Sequence, residues 1–375
     1  MPFYTIDLCA GIGGIRRGFE LTGHFKNRMA AEIDPFACMT YKHLYGDDPF
    51  HDLTSEDFKQ ALEGLEYDVL LAGFPCQTFS KAGLEEGFNN AEKGIIFNHI
   101  AEILKRTRPR ALFLENVDNL VRHDKGKTFK IIIHTLEKVL DYKVIGVRYD
   151  LEGNPIYDGR DFVRNSKDFG IPQNRPRTYI MAFDRMRYGG GALLGIENVL
   201  PVENDWYLYE DLNELLEFHA DAKYYMASGY LDTLIRHKAR EHAKGNNFGY
   251  KIVNEPGIEH PVASTLLATG GSGRERNLVY DPQDGIAGIT IPNKKTPLND
   301  QGIRVMTPRE WGKLQGFINY AFLDTNGVDH FSFPEGVSIV QQYKQFGNSV
   351  TIPVIETMAE FMLNCFRVLG DMPNE

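Results

Sequence analysis

Two residues suited to chemistry each follow a short apolar run of the chain. Cys76 lies in the segment Gly-Phe-Pro-Cys-Gln after the apolar run 67–72, and Glu115 closes the run Ala-Leu-Phe-Leu-Glu. The carboxyl edge of a parallel sheet is where ligands and catalytic groups gather. A buried, inert thiol is the commoner state of a cysteine, but the flanking Pro and the loop position favour a reactive one. A partly buried carboxyl has a raised pKa and can donate a proton.

A glycine-rich turn, Asp7–Gly14, follows the apolar run Tyr4–Leu8 and opens a helix. Glycines let backbone N–H groups approach a ligand, and a helix N-terminus favours negative charge. Glu32, at the end of the next predicted strand, stands where a residue that binds ribose hydroxyls belongs. With Asp52, these residues indicate an adenosine-containing ligand. A plain tight turn and an exposed loop acid are the alternatives.

Two further clusters carry polar side chains. Arg175 and Arg177 stand two apart in an extended run, so they point the same way, either into a site or as a surface basic pair. The segment 345–350, Gln-Phe-Gly-Asn-Ser-Val, precedes the C-terminal helix and could equally be a simple helix cap. The polar, Gly-bearing stretch 81–93 is typical of a loop that closes over a substrate.

The elements that must position these residues alternate along the first half of the chain. Strands are predicted at 4–8, 28–33, 67–72, 111–115, 143–147 and 178–183, and helices at 15–21, 35–44, 94–105 and 127–140. This alternation predicts an α/β fold with a doubly wound, mostly parallel sheet.

The pattern breaks after Asp184, and Gly189–Gly191 predicts a loop. The segment to about residue 296 has no clear period, so we expect a smaller, irregular domain there. Thr307-Pro308 predicts a helix start, and Pro353–Leu369 a final helix. We therefore expect a catalytic domain at 1–184, a smaller domain with a hinge at 185–335, and a C-terminal segment at 336–375 that completes the first.

Composition narrows the class of protein. The chain has 375 residues, 42% hydrophobic and 25% charged, which is typical of a globular protein of about two domains. There is no run of 18 apolar residues and no signal-peptide pattern, so we expect no membrane association and a cytoplasmic location. The 4 cysteines contain no C-x-x-C pair, so no metal site is expected. The net charge of −10 argues mildly against nucleic acid, but residues 223–313 carry more Lys and Arg than Asp and Glu.

In this order the motifs resemble those of the DNA cytosine methyltransferases that modify carbon 5. The resemblance covers nearly the whole chain except about 185–300, and its most specific part is the separation of Pro-Cys-Gln from Glu-Asn-Val. Cys9 departs from the pattern, because the family usually has Phe there. The matching motifs are Asp7–Gly14, Pro75–Ser80, Glu115–Val117, Gln173–Arg177, Arg304 with Thr307–Glu310, Leu314–Phe317, and Tyr343–Val350.

The resemblance implies a mechanism for these residues. Carbon 5 of cytosine is a poor nucleophile until a thiolate adds to carbon 6, which implies Cys76 as the nucleophile. Glu115 is implied to hold or donate a proton at ring nitrogen 3, and Arg177 to hold the exocyclic oxygen. Arg175 would support Glu115 or the loop.

The resemblance also implies ligands. The cofactor would be S-adenosylmethionine, and the substrate duplex DNA from which a cytosine is flipped. Segments 236–251 and 269–276 of the recognition domain would reach the DNA, with Ser80 near phosphates and Arg274 and Arg276 at base edges. The residues implied to line the cofactor pocket are Asp7, Leu8, Cys9, Ala10, Gly11, Gly13, Gly14, Glu32, Ile33, Asp52, Leu53, Pro75, Ile96, Asn348 and Val350.

Three alternatives compete with this interpretation. A transfer-RNA cytosine methyltransferase of the same family would carry a different run after Pro-Cys, and a non-catalytic DNA-binding relative tends to lose the Cys or the Glu. A nicotinamide-dependent dehydrogenase would leave both motifs unused, and the turn lacks the spacing G-x-G-x-x-G. By resemblance we expect a monomeric bacterial enzyme of a restriction-modification system, paired with a restriction endonuclease.

Overall fold

The computed structural model describes residues 2–75, 96–246, 249–269 and 274–372. The chain divides into two compact units. The first comprises Met1–Asn165, Pro176–Asn204 and Ile352–Glu375, and the second Ser166–Arg175 and Asp205–Thr351. Residues 166–175 and 336–351 lie in the second unit and residues 185–204 in the first, while the expected domain bounds stay a prediction.

Strands and helices alternate through the first half of the described chain. The strands are β1 (Phe3–Leu8), β2 (Phe25–Ala31), β3 (Val69–Gly73), β4 (Ala111–Val117), β5 (Tyr142–Val144), β6 (Arg148–Tyr149), β7 (Pro155–Ile156), β8 (Val163–Asn165), β9 (Gln173–Asn174), β10 (Pro176–Asp184), β11 (Ala263–Ser264), β12 (Leu278–Tyr280) and β13 (Ile303–Val305). The α-helices are α1 (Gly14–Leu21), α2 (Pro35–Tyr45), α3 (Glu56–Glu63), α4 (Ile96–Thr107), α5 (Lys127–His134), α6 (Arg185–Leu193), α7 (Ser228–Ala243), α8 (Pro308–Leu314), α9 (Ile339–Asn348) and α10 (Ile352–Val368).

The first unit is built on a seven-stranded sheet whose main path runs β2-β1-β3-β4-β10-β5, with β8 paired to β10. The pairs β1–β2, β1–β3 and β3–β4 are parallel, so their carboxyl ends meet at one edge. β10 runs antiparallel to β4, β5 and β8. The predicted α/β class with a doubly wound, mostly parallel sheet is confirmed. Residues 69–72 of β3 and the apolar part of β4 are buried, as expected for strands covered on both faces.

Local chemistry explains where helices begin. The Asp34 side chain caps α2 by accepting from the N–H groups of Phe36 and Ala37, and Pro35 occupies the first turn.

α1 and α10 pack so closely that a Cβ on Gly18 would come 2.6 Å from Cβ of Ile355. The predicted final helix is confirmed as α10, which lies in the first unit.

The second unit contains a buried ionic cluster at the predicted helix start. Thr307 and Glu310 form a reciprocal capping box that begins α8, as the sequence indicated. The guanidinium of Arg304 binds Glu310 at 2.7 Å and Asp281 at 2.6 Å. Arg304 is therefore a structural residue that ties β13 to α8.

Two expectations for the segment after Asp184 were wrong. α6 runs through the glycines predicted as a loop, although Gly189 interrupts it with a φ of 73°. α7 is a 16-residue helix inside the stretch predicted to be irregular. Within the described ranges, none of the helices combines the length and apolar character needed to cross a membrane.

Candidate functional site

The glycine-rich turn between β1 and α1 is held in a left-handed conformation. Cys9, Gly11 and Gly13 have φ values of 54°, 56° and 77°. A Cβ on Gly11 would have no heavy atom within 4 Å, so open space lies beside that residue. Cys9 adopts this conformation although it carries a side chain, and burial, helped by Glu32 and Asp7, raises the pKa of its thiol to about 12. The Cys9 thiol therefore stays protonated.

Glu32 lies just after β2 and is fixed by the turn. Its carboxylate accepts hydrogen bonds from the backbone N–H groups of Gly11, Ile33 and Asp34, each at 2.8 Å. The neighbouring Ile33 side chain is 66% exposed, an unusual placement for a large apolar group. The structure thus brings together the turn, Glu32 and Ile33, as the sequence suggested.

A β-bridge pairs Glu32 with Phe50, so Asp52 and Leu53 follow next to the same edge. Asp52 accepts hydrogen bonds from the side-chain O–H and the backbone N–H of Thr54, and these bonds lower the pKa of its carboxyl. Leu53 is buried, while Phe50 is 63% exposed. Sequence reasoning missed Phe50, which nothing in its local pattern distinguishes.

Asp7 is the most unusual group of the turn. Its side chain is completely buried, and neither carboxylate oxygen makes a hydrogen bond to any described residue. Burial raises the pKa of Asp7 to about 7, against the opposing influence of the Arg16 guanidinium and of the nearby Arg16 backbone N–H, which lies outside regular hydrogen-bond geometry. A buried carboxyl without hydrogen bonds is costly in its charged form, which is why its pKa is raised.

Glu115 and Arg177 form a pair at the ends of β4 and β10. Arg177 is registered opposite Val117, and Val117 shares a face with Glu115 because strand side chains alternate. The Nε atom of Arg177 therefore lies 3.3 Å from Oε1 of Glu115, and both side chains are nearly buried. This pair gives the sheet edge a carboxylate and a guanidinium side by side.

The chain leading to Cys76 is anchored next to that pair. Gly73 is registered opposite Glu115, and a Cβ on Gly73 would lie 3.5 Å from Oε2 of Glu115. Asn116 Nδ2 donates to the carbonyl of Phe74 at 2.7 Å. Pro75, the last described residue before the gap, is exposed. Cys76 and Ser80 lie outside the described residues.

Arg175 belongs to the second unit, whereas Arg177 belongs to the first. The Arg175 guanidinium is buried and donates to the carbonyls of Leu266 at 2.8 Å, Gly347 at 2.9 Å and Ser349 at 2.5 Å. It therefore clamps the backbone around the segment 345–350. Its support of Glu115 or the loop stays a prediction.

The remaining predicted residues have the following places. Ile96 is the first residue of α4 and is half-buried. Asn348 ends α9 and Val350 is buried, both in the second unit. The Arg274 guanidinium lies 4.9 Å from the ring centroid of Tyr343, and Arg276 is exposed. In the described ranges, no three His, Cys, Asp or Glu side chains are grouped to hold a metal.

The comparisons with known proteins agree on one family. A family model described as C-5 cytosine-specific DNA methylase matches residues 3–364. The type II methyltransferase M.HpaII of Haemophilus parainfluenzae is 39% identical over 372 residues, covering 98% of this chain and 91% of the relative. The type II methyltransferase M1.ScrFI of Lactococcus lactis subsp. cremoris is 38% identical, covering 96% and 78%.

Solved structures agree on the fold. The Entamoeba histolytica methyltransferase EhMeth has a TM-score of 0.64 at 20% identity and covers 97% of this chain and 98% of its own. A Spodoptera frugiperda DNMT2 mutant has a TM-score of 0.61 at 16% identity and covers 98% and 99%. At these identities the likeness concerns the fold alone.

Proposed function

Because the chain belongs to the C-5 cytosine-specific DNA methylase family and is a DNA cytosine methyltransferase, we propose that it uses S-adenosylmethionine to methylate carbon 5 of a flipped cytosine through a covalent bond to Cys76. The observation that carries the chemical part is the Glu115–Arg177 pair. It lies opposite Gly73, three residues before Cys76, at the edge where the parallel strands end.

The described residues fit the proposed cofactor. The open space at Gly11 leaves room beside the turn, and Glu32 offers carboxylate oxygens to the ribose hydroxyls. The exposed Ile33 side chain offers an apolar surface to adenine, near the Asp52 loop. When bound, the cofactor supplies an electrophilic methyl group.

Asp7, the fully buried carboxyl of this turn, is proposed as a lining residue. The other lining residues proposed in the first unit are Leu8, Cys9, Ala10, Gly13, Gly14, Leu53, Pro75 and Ile96. Asn348 and Val350 belong to the second unit, and their role stays a prediction.

The catalytic residues then act on the base. The Cys76 thiolate adds to carbon 6, which makes carbon 5 enamine-like. Glu115 holds a proton at ring nitrogen 3, which offsets the negative charge that develops as the thiolate adds. Arg177, 3.3 Å from Glu115, holds the exocyclic oxygen of the same ring. Once carbon 5 has taken the methyl group, a base removes the carbon 5 proton while the carbon 6–sulfur bond breaks, which releases the Cys76 thiolate.

The target base must leave the duplex first, at a cost of a few kcal/mol. We assign DNA contacts to Ser80, Arg274 and Arg276, and to the basic segment 236–251, where Arg236, Lys238 and Arg240 are exposed on α7. Although the net charge of the chain is negative, the positive charges proposed to contact DNA are concentrated in these segments.

The biological setting follows from the relatives named type II methyltransferases. We propose a cytoplasmic, monomeric enzyme that protects DNA from a partner restriction endonuclease. Mapping of methylated cytosines in a defined DNA would give the recognition site. Methyl transfer to transfer RNA instead of duplex DNA would contradict the proposed substrate.

The covalent step has a direct test. Incubation with the methyl donor and a duplex that carries 5-fluorocytosine at the target should trap the protein, because the fluorine blocks release. The wild type and Cys365→Ala, which removes a buried thiol of α10, should both form the adduct, whereas Cys76→Ala should form none. An adduct in Cys76→Ala, seen by denaturing electrophoresis, would remove this sulfur from the mechanism.

A further inference from the structure

The glycine-rich turn ends at a carbonyl that a distant side chain holds. Gly13 is the N-cap of α1 but offers no side chain to do the capping. Its carbonyl accepts from the N–H of Arg17 at 2.9 Å and from the hydroxyl of Tyr45 at 2.8 Å. Tyr45 is the last residue of α2, so α2 is tied directly to the turn.

The Tyr45 ring also fills the space beside the turn. A Cβ on Gly13 would lie 2.7 Å from the Tyr45 hydroxyl oxygen and 2.8 Å from Cζ of the ring. Real Cβ atoms do not approach that closely, so the glycine at this position lets the ring reach the backbone. The positive φ of 77° at Gly13 points the same way, since a residue with a side chain is strained there.

Charged and aromatic groups also hold the Tyr45 ring in place. The Arg16 guanidinium lies 4.1 Å from the Tyr45 ring centroid, within the range of a cation–π contact. Arg16 is itself fixed by the Tyr41 hydroxyl at 2.9 Å and by Asp47 at 2.7 Å. These contacts leave the Tyr45 ring little freedom to move away from the turn.

The turn is therefore held at two points. The Glu32 carboxylate holds the N–H of Gly11, and the Tyr45 hydroxyl holds the carbonyl of Gly13. In the proposed function, Glu32 also has to serve the ribose hydroxyls of the cofactor. The Tyr45 hydroxyl has no such second role, because it only donates to the backbone carbonyl of Gly13.

We propose that Tyr45 is a positioning residue for the cofactor: its hydroxyl and ring preorganise the glycine-rich turn, so that binding does not have to order the turn. The inference rests on the proposed use of S-adenosylmethionine. A preorganised site spends less of its interaction energy on ordering and binds more tightly.

The test is calorimetric titration of Tyr45→Phe with S-adenosylhomocysteine, the demethylated product. Loss of one neutral hydrogen bond should raise its Kd roughly two- to tenfold. The KM for S-adenosylmethionine should rise by a similar factor, while kcat at saturating cofactor stays within about twofold, because Tyr45 touches none of the reacting groups.

Tyr142→Phe is the matched control. The Tyr142 hydroxyl also donates to a backbone carbonyl, that of Pro109, at 2.7 Å in the same unit. Its removal should lower the melting temperature like Tyr45→Phe but leave the Kd unchanged. An unchanged Kd in Tyr45→Phe, or an equal rise in Tyr142→Phe, would overturn the positioning role. Absence of binding by the wild type would instead contradict the proposed cofactor.

Discussion

At the scale of single residues, Asp7 makes stability depend on pH in an unusual direction. Burial raises its pKa to about 7, well above that of an unfolded aspartate. The folded protein therefore holds this proton between about pH 4 and 7, where the unfolded chain has released it. The free energy that the proton contributes is complete below pH 4 and is lost as the pH rises to 7.

Asp7→Asn should accordingly be more stable than the wild type at neutral pH. The difference in free energy of unfolding should grow from about pH 4.5 to 7.5 and reach about 1–4 kcal/mol. Urea unfolding of the cofactor-free proteins at a series of pH values measures it. Asp48→Asn is a control of opposite sign: Asp48 is exposed and the Phe50 amide and Lys42 lower its pKa, so this variant should gain no stability over the wild type as the pH rises. A wild type that equals or exceeds Asp7→Asn at pH 7.5 would show that Asp7 is not a strained carboxyl.

At the scale of elements, the start of α8 is set by the Thr307 side chain. Its hydroxyl accepts from the N–H of Glu310 at 3.2 Å inside a buried capping box. Thr307→Ala should cost about 1 kcal/mol of unfolding free energy. Ser338 caps α9 with a longer bond of 3.4 Å at an exposed position, so Ser338→Ala should cost less. Chemical denaturation compares the two variants, and an equal or reversed order would count against the capping argument.

Much of the fold could be predicted because local signals mark its elements. Pro35 and Pro308 occupy the first turns of α2 and α8, and such a signal depends only on neighbouring residues of the chain. The antiparallel direction of β10 could not be predicted, since strand direction depends on pairing across the sheet. The sequence did not predict α7, because Leu231 is its one buried residue among those described. Its apolar residues therefore do not recur at helical spacing. α6 was missed because three glycines favour a loop.

The candidate site was predictable where one motif follows one strand. The turn, Glu32 and Glu115 all stand at strand ends, and the parallel sheet brings such ends to one edge. Tyr45 could not be found this way, because its hydroxyl contacts a turn 32 residues earlier in the chain. Arg16 could not be found either, because its partners Tyr41 and Asp47 are also distant in the sequence. Arg175 and Arg177 look alike in the sequence, yet they belong to different units.

At the scale of the whole molecule, the charge is negative but unevenly spread. The net charge is −10, while α7 exposes Arg236, Lys238 and Arg240. If this helix binds phosphates, changing the three residues to Glu should weaken DNA binding strongly at low salt. The slope of log affinity against log salt should become shallower by about 0.9 for each phosphate that the variant no longer neutralises.

Fluorescence anisotropy with a duplex at several salt concentrations measures this slope. The matched control changes Lys105, Lys130 and Lys138 to Glu, three exposed lysines of the first unit with the same change of net charge. An equal weakening in both variants would indicate a general charge effect and would remove α7 from the proposed DNA surface.

The discontinuity of the first unit has a consequence for synthesis on the ribosome. Every proposed site residue precedes Ile352, yet α10, which begins there, covers α1, and Phe366 of α10 stacks on Phe3 of β1 with ring centroids 4.5 Å apart. A nascent chain that stops before α10 would carry every proposed site residue. The surfaces of α1 and β1 that α10 covers would still be exposed to water. We therefore expect activity only after α10 has left the exit tunnel and packed against α1 and β1.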